Sequence, residues 1–333
     1  KKKKKHTILF VLWIMNIQEM LTKMKDIHNK LLSFLEQVNN VEENYENFYH
    51  MIKDLQIHDH YLILVLHLIS HIANNHYRGT NFIEKVERIL LDLKSEIIKH
   101  KYINSVLFHI FKNNKRILLF LIQEQIMIID QYVFSEMMKK KYKSMNYPEY
   151  FFPEIKKFIS KDEIQQNRQN DDFQKFVKNF SEKLPENFEE KRKNGQNDSY
   201  ISSIIREDNI EAFITYVNKN EISLNSSIET SIYETNPFIL KTNQIDQEDL
   251  DDFFLMMLYE EREIHPTLIE YAAFFGSIQI FKYLKMNEVE IKSSIWKYAI
   301  HSDHPEIISN LEEMKIKPEN ESYLNLLIES IKC

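Results

Sequence analysis

The sequence predicts an all-α fold: a helical N-terminal region followed by a solenoid of helix–turn–helix units. Three observations carry that expectation. Glycine is nearly absent, three residues in 333, against about 7% in average proteins. Hairpin turns and phosphate-cradling loops depend on glycine, so this composition argues against an all-β chain and against a nucleotide-binding α/β enzyme. Apolar residues recur at helical spacing through most of residues 26–160. Between residues 198 and 333 a two-helix pattern repeats, and a repeat decides the fold before any single motif does.

Composition narrows the function classes. Hydrophobic residues make up 43% of the chain, enough for a sizeable core. Cys333 is the one cysteine, so there is no disulfide framework, as expected in a reducing, cytoplasmic setting. Net charge is −7, with a lysine run at residues 1–5 and an acidic stretch from Asp246 to Glu263. A nucleic-acid partner is not expected, because it calls for a basic face over the folded domain.

Residues 1–25 are a basic and apolar lead. Lys1–Lys5 followed by Ile8–Met15 has the charged and apolar regions of a signal peptide. No small-residue cleavage site follows, since Asn16, Ile17, Gln18 and Glu19 come next. The run is also too short to span a bilayer, which takes about 20 residues. Met15, Met20 or Met24 offers an alternative start that would leave the lysine run outside the native protein.

Residues 26–160 read as a helical N-terminal domain. Within Asn81–His100, Phe82, Ile83, Val86, Ile89, Leu90, Leu93 and Ile97 form one apolar stripe, and Asn81 with Glu84 reads as a capping pair. Val106–Phe111 and Ile117–Ile122 are short apolar helices parted by Lys112–Lys115, and a third helix runs through Ile126–Met138. Pro148 and Pro153 then punctuate the chain. Residues 161–197 form a polar junction, part helix and part linker, with a turn at Asn194-Gly195.

In residues 198–333 a shift of 27 pairs Leu268 with Ile295, Tyr271 with Tyr298, Ala272 with Ala299, Ile280 with Ile307 and Leu284 with Leu311. Gly276 falls on Asp303, both in the turn between helices, and Pro305 opens a second helix, where a missing N–H costs nothing. The same pattern extends back to Ile204, Ile205, Ala212 and Phe213 and forward to Leu326, Leu327 and Ser330. Small residues at 272, 299 and 330 allow close helix approach. The final helix has no second helix after it, so Leu324, Leu327, Ile328 or Ile331 would be exposed. A longer natural chain or a frayed end is expected.

The stretch Thr267–Leu284 resembles an ankyrin repeat, in which a Thr-Pro-Leu-His start leads to Ala-Ala, two variable residues, a Gly-His turn and an apolar second helix. Thr267, Ala272, Ala273, Gly276 and Leu284 match; Leu268, Glu270 and Ser277 depart from it. The 27-residue spacing is shorter than the ankyrin 33, so the inter-repeat hairpin is expected to be cut to a loop. Residues 190–200, 231–238, 272–277 and 296–301 are further similar to a degenerate ankyrin-repeat family of unknown function, expanded in parasitic protists. The resemblance implies a scaffold or adaptor for protein partners. It also implies that the two residues after each Ala-Ala position face the concave, partner-binding side. Those residues are Arg206 and Glu207, Phe274 and Phe275, and His301 and Ser302. Phe274 and Phe275 cannot both enter one core. At least one should be exposed, or covered by the N-terminal helices or the acidic insertion at 244–263.

Other constellations read as structural. His67 and His71 stand one helical turn apart and would reach one metal, but Leu68 occupies the position where a metalloprotease helix has glutamate, and their apolar surroundings favour packing histidines inside a core helix. Tyr61–Ile72 is too short to cross a membrane. The acidic insertion reads as a cover for the neighbouring repeat, with a docking helix for a basic partner as the alternative. With no catalytic constellation, neither enzyme activity, a cofactor nor a metal is expected. The rival function is a membrane-surface receptor anchored through the basic, apolar N-terminus.

Overall fold

Helical phase decides which side of each segment is inside. A computed structural model describes residues 21–35, 43, 45–47, 49–50, 59–75, 82–100, 102, 104–139, 145–159, 171–240, 265–302, 304–318 and 323–332. The fold is all-α; among the described residues the one β feature is an isolated bridge between Ser227 and Thr267. The basic lead up to residue 20, the acidic insertion, Asn81 and Asp303 lie outside the described residues.

The N-terminal core is built from α1 (residues 21–35), α2 (Asp59–Asn75), α3 (Phe82–Asp92), α4 (Lys94–Lys99), α5 (Asn104–Phe111), α6 (Lys115–Gln123) and α7 (Gln131–Met137). Ile27, Leu31, Phe34 and Leu35 of α1 are buried, and Lys85 donates to the carbonyls of Phe34 and Leu35 at its C-terminal end. All seven residues of the 82–97 stripe are buried. The predicted single helix is broken at Leu93 into α3 and α4. Asn114 caps α6, its Oδ1 accepting from Ile117 N at 3.1 Å.

Two expectations are corrected here. The helix placed at Ile126–Met138 begins only at Gln131, because Asp130 caps it, accepting from Val133 N. His67 and His71 are exposed and are not core histidines. The buried positions of α2 are Leu62, Val65, Leu66, Ile69, Ile72 and Ala73, a phase that leaves 67 and 71 on the opposite face. The helix itself is inside on its apolar face, as read, and none of the described helices is long and apolar enough to cross a membrane.

Two single turns, α8 (Tyr147–Tyr150) and α9 (Phe152–Ile155), follow. Each carries its proline in the first turn, where no backbone donor is missed. Residues 171–197 are mainly helical, as α10 (Asp171–Glu182) and α11 (Phe188–Asn194). Gly195 ends α11 in the left-handed conformation at φ 68°.

A second core collects α12 (Tyr200–Arg206), α13 (Ile210–Lys219), α15 (Leu268–Phe275), α16 (Ile278–Met286), α17 (Ile295–Ser302), α18 (Pro305–Glu313) and α19 (Tyr323–Lys332). The short turn α14 (Pro237–Leu240) lies between α13 and α15 in sequence. The helices pair as α12 with α13, α15 with α16, and α17 with α18. First helices stand side by side in the order α12, α15, α17, α19, and second helices in the order α13, α16, α18. Ala272 and Ala299 have no exposed surface, which is what lets α15 and α17 approach closely. Gly276 caps α15 at φ 68°, and Leu284 and Leu311 are buried in the second helices. Ala273 is buried with them.

Successive pairs are joined through their turns. Asp208, in the α12–α13 turn, accepts from Gln279 N at 2.9 Å and Ile280 N at 3.0 Å, capping α16 of the next pair. Ser277 donates to Ile205 O. Residues 226–228 lie along the entry to α15, with Ile228 N donating to Pro266 O and Leu268 N to Ser226 O. Thr267 and Glu270 form a reciprocal capping box there.

Candidate functional site: an aromatic slot beside a polar junction

The six residues expected on the concave side fare differently. Arg206 is half-buried; it donates to the Tyr271 hydroxyl and to Asn197 O, each at 2.9 Å, and lies 5.9 Å from the Phe275 ring centre. Glu207 is exposed and accepts from Ser203 Oγ within its own helix. Ser302 is half-buried and donates to Ala299 O of its own helix. Phe275 is half-buried against Tyr271 and Phe274.

Phe274 and His301 are not open contact residues: each is only 8% exposed. Among the described residues the ring that covers them is Phe238. The Phe238 ring stacks on Phe274 at 5.4 Å and 6°. It lies 4.0 Å from the His301 ring and meets Tyr298 edge-on at 5.1 Å. Phe274 lies in the last turn of α15, while Tyr298 and His301 belong to α17. The three therefore form a slot across two successive helix pairs, filled by a ring that arrives from outside the pairs. Offset and edge-on pairs of this kind suit the ring quadrupoles.

Phe238 is positioned by a junction that spacing in the sequence does not reveal. Gly195 O accepts from both the backbone N–H and the hydroxyl of Thr235, at 3.1 and 2.8 Å. The Glu234 carboxylate accepts from Asn197 N at 3.2 Å and Asn236 N at 2.8 Å. Asn197 Nδ2 donates to Glu229 O, and Ser231 Oγ to Asp198. Asn236 Oδ1 accepts from Phe238 N at 2.9 Å, starting α14. Residues 190–200 and 231–238, two of the four stretches that carry the family resemblance, are thus packed on one another.

Buried cations tie this junction to the N-terminal core. Lys115 has no exposed surface; its Nζ donates to Ile232 O at 2.8 Å and lies 5.0 Å from the Tyr150 ring centre. Burial pushes this ammonium down to about 7, partly offset by Glu234 and Glu149. Burial also raises both carboxyls above the usual range. Arg192 is 1% exposed and holds Glu154 in two bonds of 2.8 and 2.9 Å, with Glu189 and Tyr150 O as further acceptors. Arg116 reaches Glu84 and Glu87 on α3.

Sequence reading missed Lys115, Arg192, Glu234 and Phe238. Three of them look like surface charges in sequence, and the partners that draw them into the junction, Ile232, Glu154 and Asn197, lie 37 to 117 residues away. The dense turn chemistry of Asn194-Gly195 and Thr235-Asn236-Pro237 was the available signal. Among the described residues no group of three or more His, Cys, Asp or Glu side chains is placed to hold a metal ion. Compared with known proteins, the chain matches no family model, no curated protein and no solved structure.

Proposed function

We propose that the chain is an intracellular protein–protein interaction module, an ankyrin-like scaffold or adaptor that works by binding and not by catalysis. The observation that carries this reading is the two-row arrangement of the paired helices, bonded turn to turn through Asp208 and Ser277. Side-by-side helix pairs build a long surface in which each unit touches only its neighbours, and such surfaces suit extended protein partners. The reading rests on architecture. The composition supports a protein partner over nucleic acid, since the net charge is −7.

The test is immobilised full-length chain exposed to cell extract, followed by cross-linking to map each captured protein. Partners should cross-link within residues 198–332, and charge reversal at the exposed Glu207 or substitution in the aromatic slot should release them. A captured set that ignores surface substitutions throughout residues 198–332 would count against the module reading.

A further inference from the structure

We propose that the slot formed by Phe274, Tyr298 and His301 is the docking point for a partner segment bearing an aromatic side chain, with Phe238 its built-in occupant when no partner is bound. This deepens the protein-binding reading and rests on it. The chemistry of the guest is read from the guest already seated: a single aromatic ring, stacked on Phe274, tilted against His301 and edge-on to Tyr298. The slot lies across two helix pairs, where a surface built of successive pairs presents its grooves.

Three features make exchange of the ring feasible. Phe238 is half-buried, whereas its neighbours from Tyr233 to Pro237, and Ile239 and Leu240, are buried. Its backbone N–H is satisfied by Asn236, so the ring can leave by side-chain rotation while the strap that carries it, residues 231–240, stays bonded to Gly195 and Asn197. The slot rings come from helices that keep their own packing: Phe274 from α15 and Tyr298 from α17, both held through Ala272 and Ala299. A tethered ring is present at high effective concentration, so an incoming ring binds the resting chain more weakly than one whose plug is gone.

The experiment uses the full chain, wild type and Phe238→Ala, with a dye-labelled peptide Glu-Thr-Asn-Pro-Phe-Ile-Leu that copies residues 234–240. A control peptide has alanine in place of the phenylalanine. Fluorescence anisotropy should show the phenylalanine peptide binding F238A at least about tenfold more tightly than wild type. The alanine peptide should bind neither, and adding His301→Ala to F238A should weaken the phenylalanine peptide by about tenfold or more. Should F238A fail to fold, Phe238→Leu keeps apolar bulk without the ring and takes its place. Equal binding of the two peptides, or equal binding to wild type and the plug-less chain, overturns the proposal. Captured partners that survive slot substitutions but yield to changes elsewhere on residues 198–332 would overturn the slot while leaving the module reading intact.

Discussion

Lys115 shows how a single buried charge sets the behaviour of its surroundings. Its ammonium faces Glu234 from the strap, Glu149 from α8 and the ring of Tyr150, with no contact to solvent. An unfolded lysine keeps its proton to about pH 10.4, whereas burial brings the folded group down to about 7. Between those values the unfolded state binds more protons, so stability contributed by this site rises with pH. Wild type should therefore gain stability between pH 7 and about 9.5, and Lys115→Met, which keeps Glu149 and Glu234, should flatten that gain. Denaturant titrations at both pH values check this; equal gains in the two proteins would remove Lys115 as the cause. Gly195 makes a second prediction at this scale. Its φ is 68°, and a Cβ there would stand 2.8 Å from Thr235 Oγ1. Gly195→Ala should lower stability by roughly 1–3 kcal/mol, read by thermal unfolding. Neither residue was legible as important in the sequence beyond the turn signal at Asn194-Gly195. A lysine at a helix start gives no sign of burial, because the carbonyl it meets, Ile232 O, is 117 residues away.

Elements were more legible, since periodicity is local. The stripe from Phe82 to Ile97, the α5–α6 pair and the units α15–α16 and α17–α18 lie where apolar spacing places them. The errors came from inferring burial by neighbourhood instead of phase, as with His67 and His71 in α2. The slot was half legible: Phe274 and Phe275 stood out as a pair that one core cannot hold, but the covering ring, Phe238, follows a proline in a four-residue turn with no period to read. Contacts between elements give two predictions. Asp208 stands at φ 49° and caps the helix of the next pair through Gln279 N and Ile280 N. Asp208→Ala should cost about 1 kcal/mol, while Asp208→Asn, which keeps the acceptor and tolerates the left-handed backbone, should keep most of it. Equal losses in urea titrations would show that the cap contributes nothing. Ala299 has no exposed surface on α17, and Ala299→Leu should overpack the α15–α17 contact by on the order of 1–3 kcal/mol; an unchanged melting temperature would argue against close approach there.

On the scale of the whole molecule, the question is whether two cores behave as one. Ile239 and Leu240 are adjacent in a single helical turn, yet Ile239 packs in the core of the paired helices and Leu240 in the N-terminal core. A strap whose consecutive side chains belong to different cores cannot leave one without disturbing the other. The same strap is bonded to Lys115 from the N-terminal side and to Gly195 and Asn197 in the junction. Arg192 fastens that junction to α8 and α9 through Tyr150 O and Glu154 while 1% exposed. Removing the buried guanidinium deletes its charge-assisted bonds to Glu154 and Tyr150 O, each typically contributing about 1.5–3 kcal/mol. That loss falls at the joint and not within either core. Wild type should consequently unfold in one transition, and Arg192→Ala should separate it into two. Trp296, buried with its Nε1 donating to Ile316 O, reports the paired-helix core once Trp13 is replaced by phenylalanine, while far-UV circular dichroism reports helices throughout. Coincident curves by both probes are the signature of a single cooperative step. They should coincide in the Trp13→Phe background and diverge when Arg192→Ala is added. Divergence before that substitution would mean that the strap and the arginine clamp do not couple the cores. A partner displacing Phe238 would then leave the N-terminal helices unaffected.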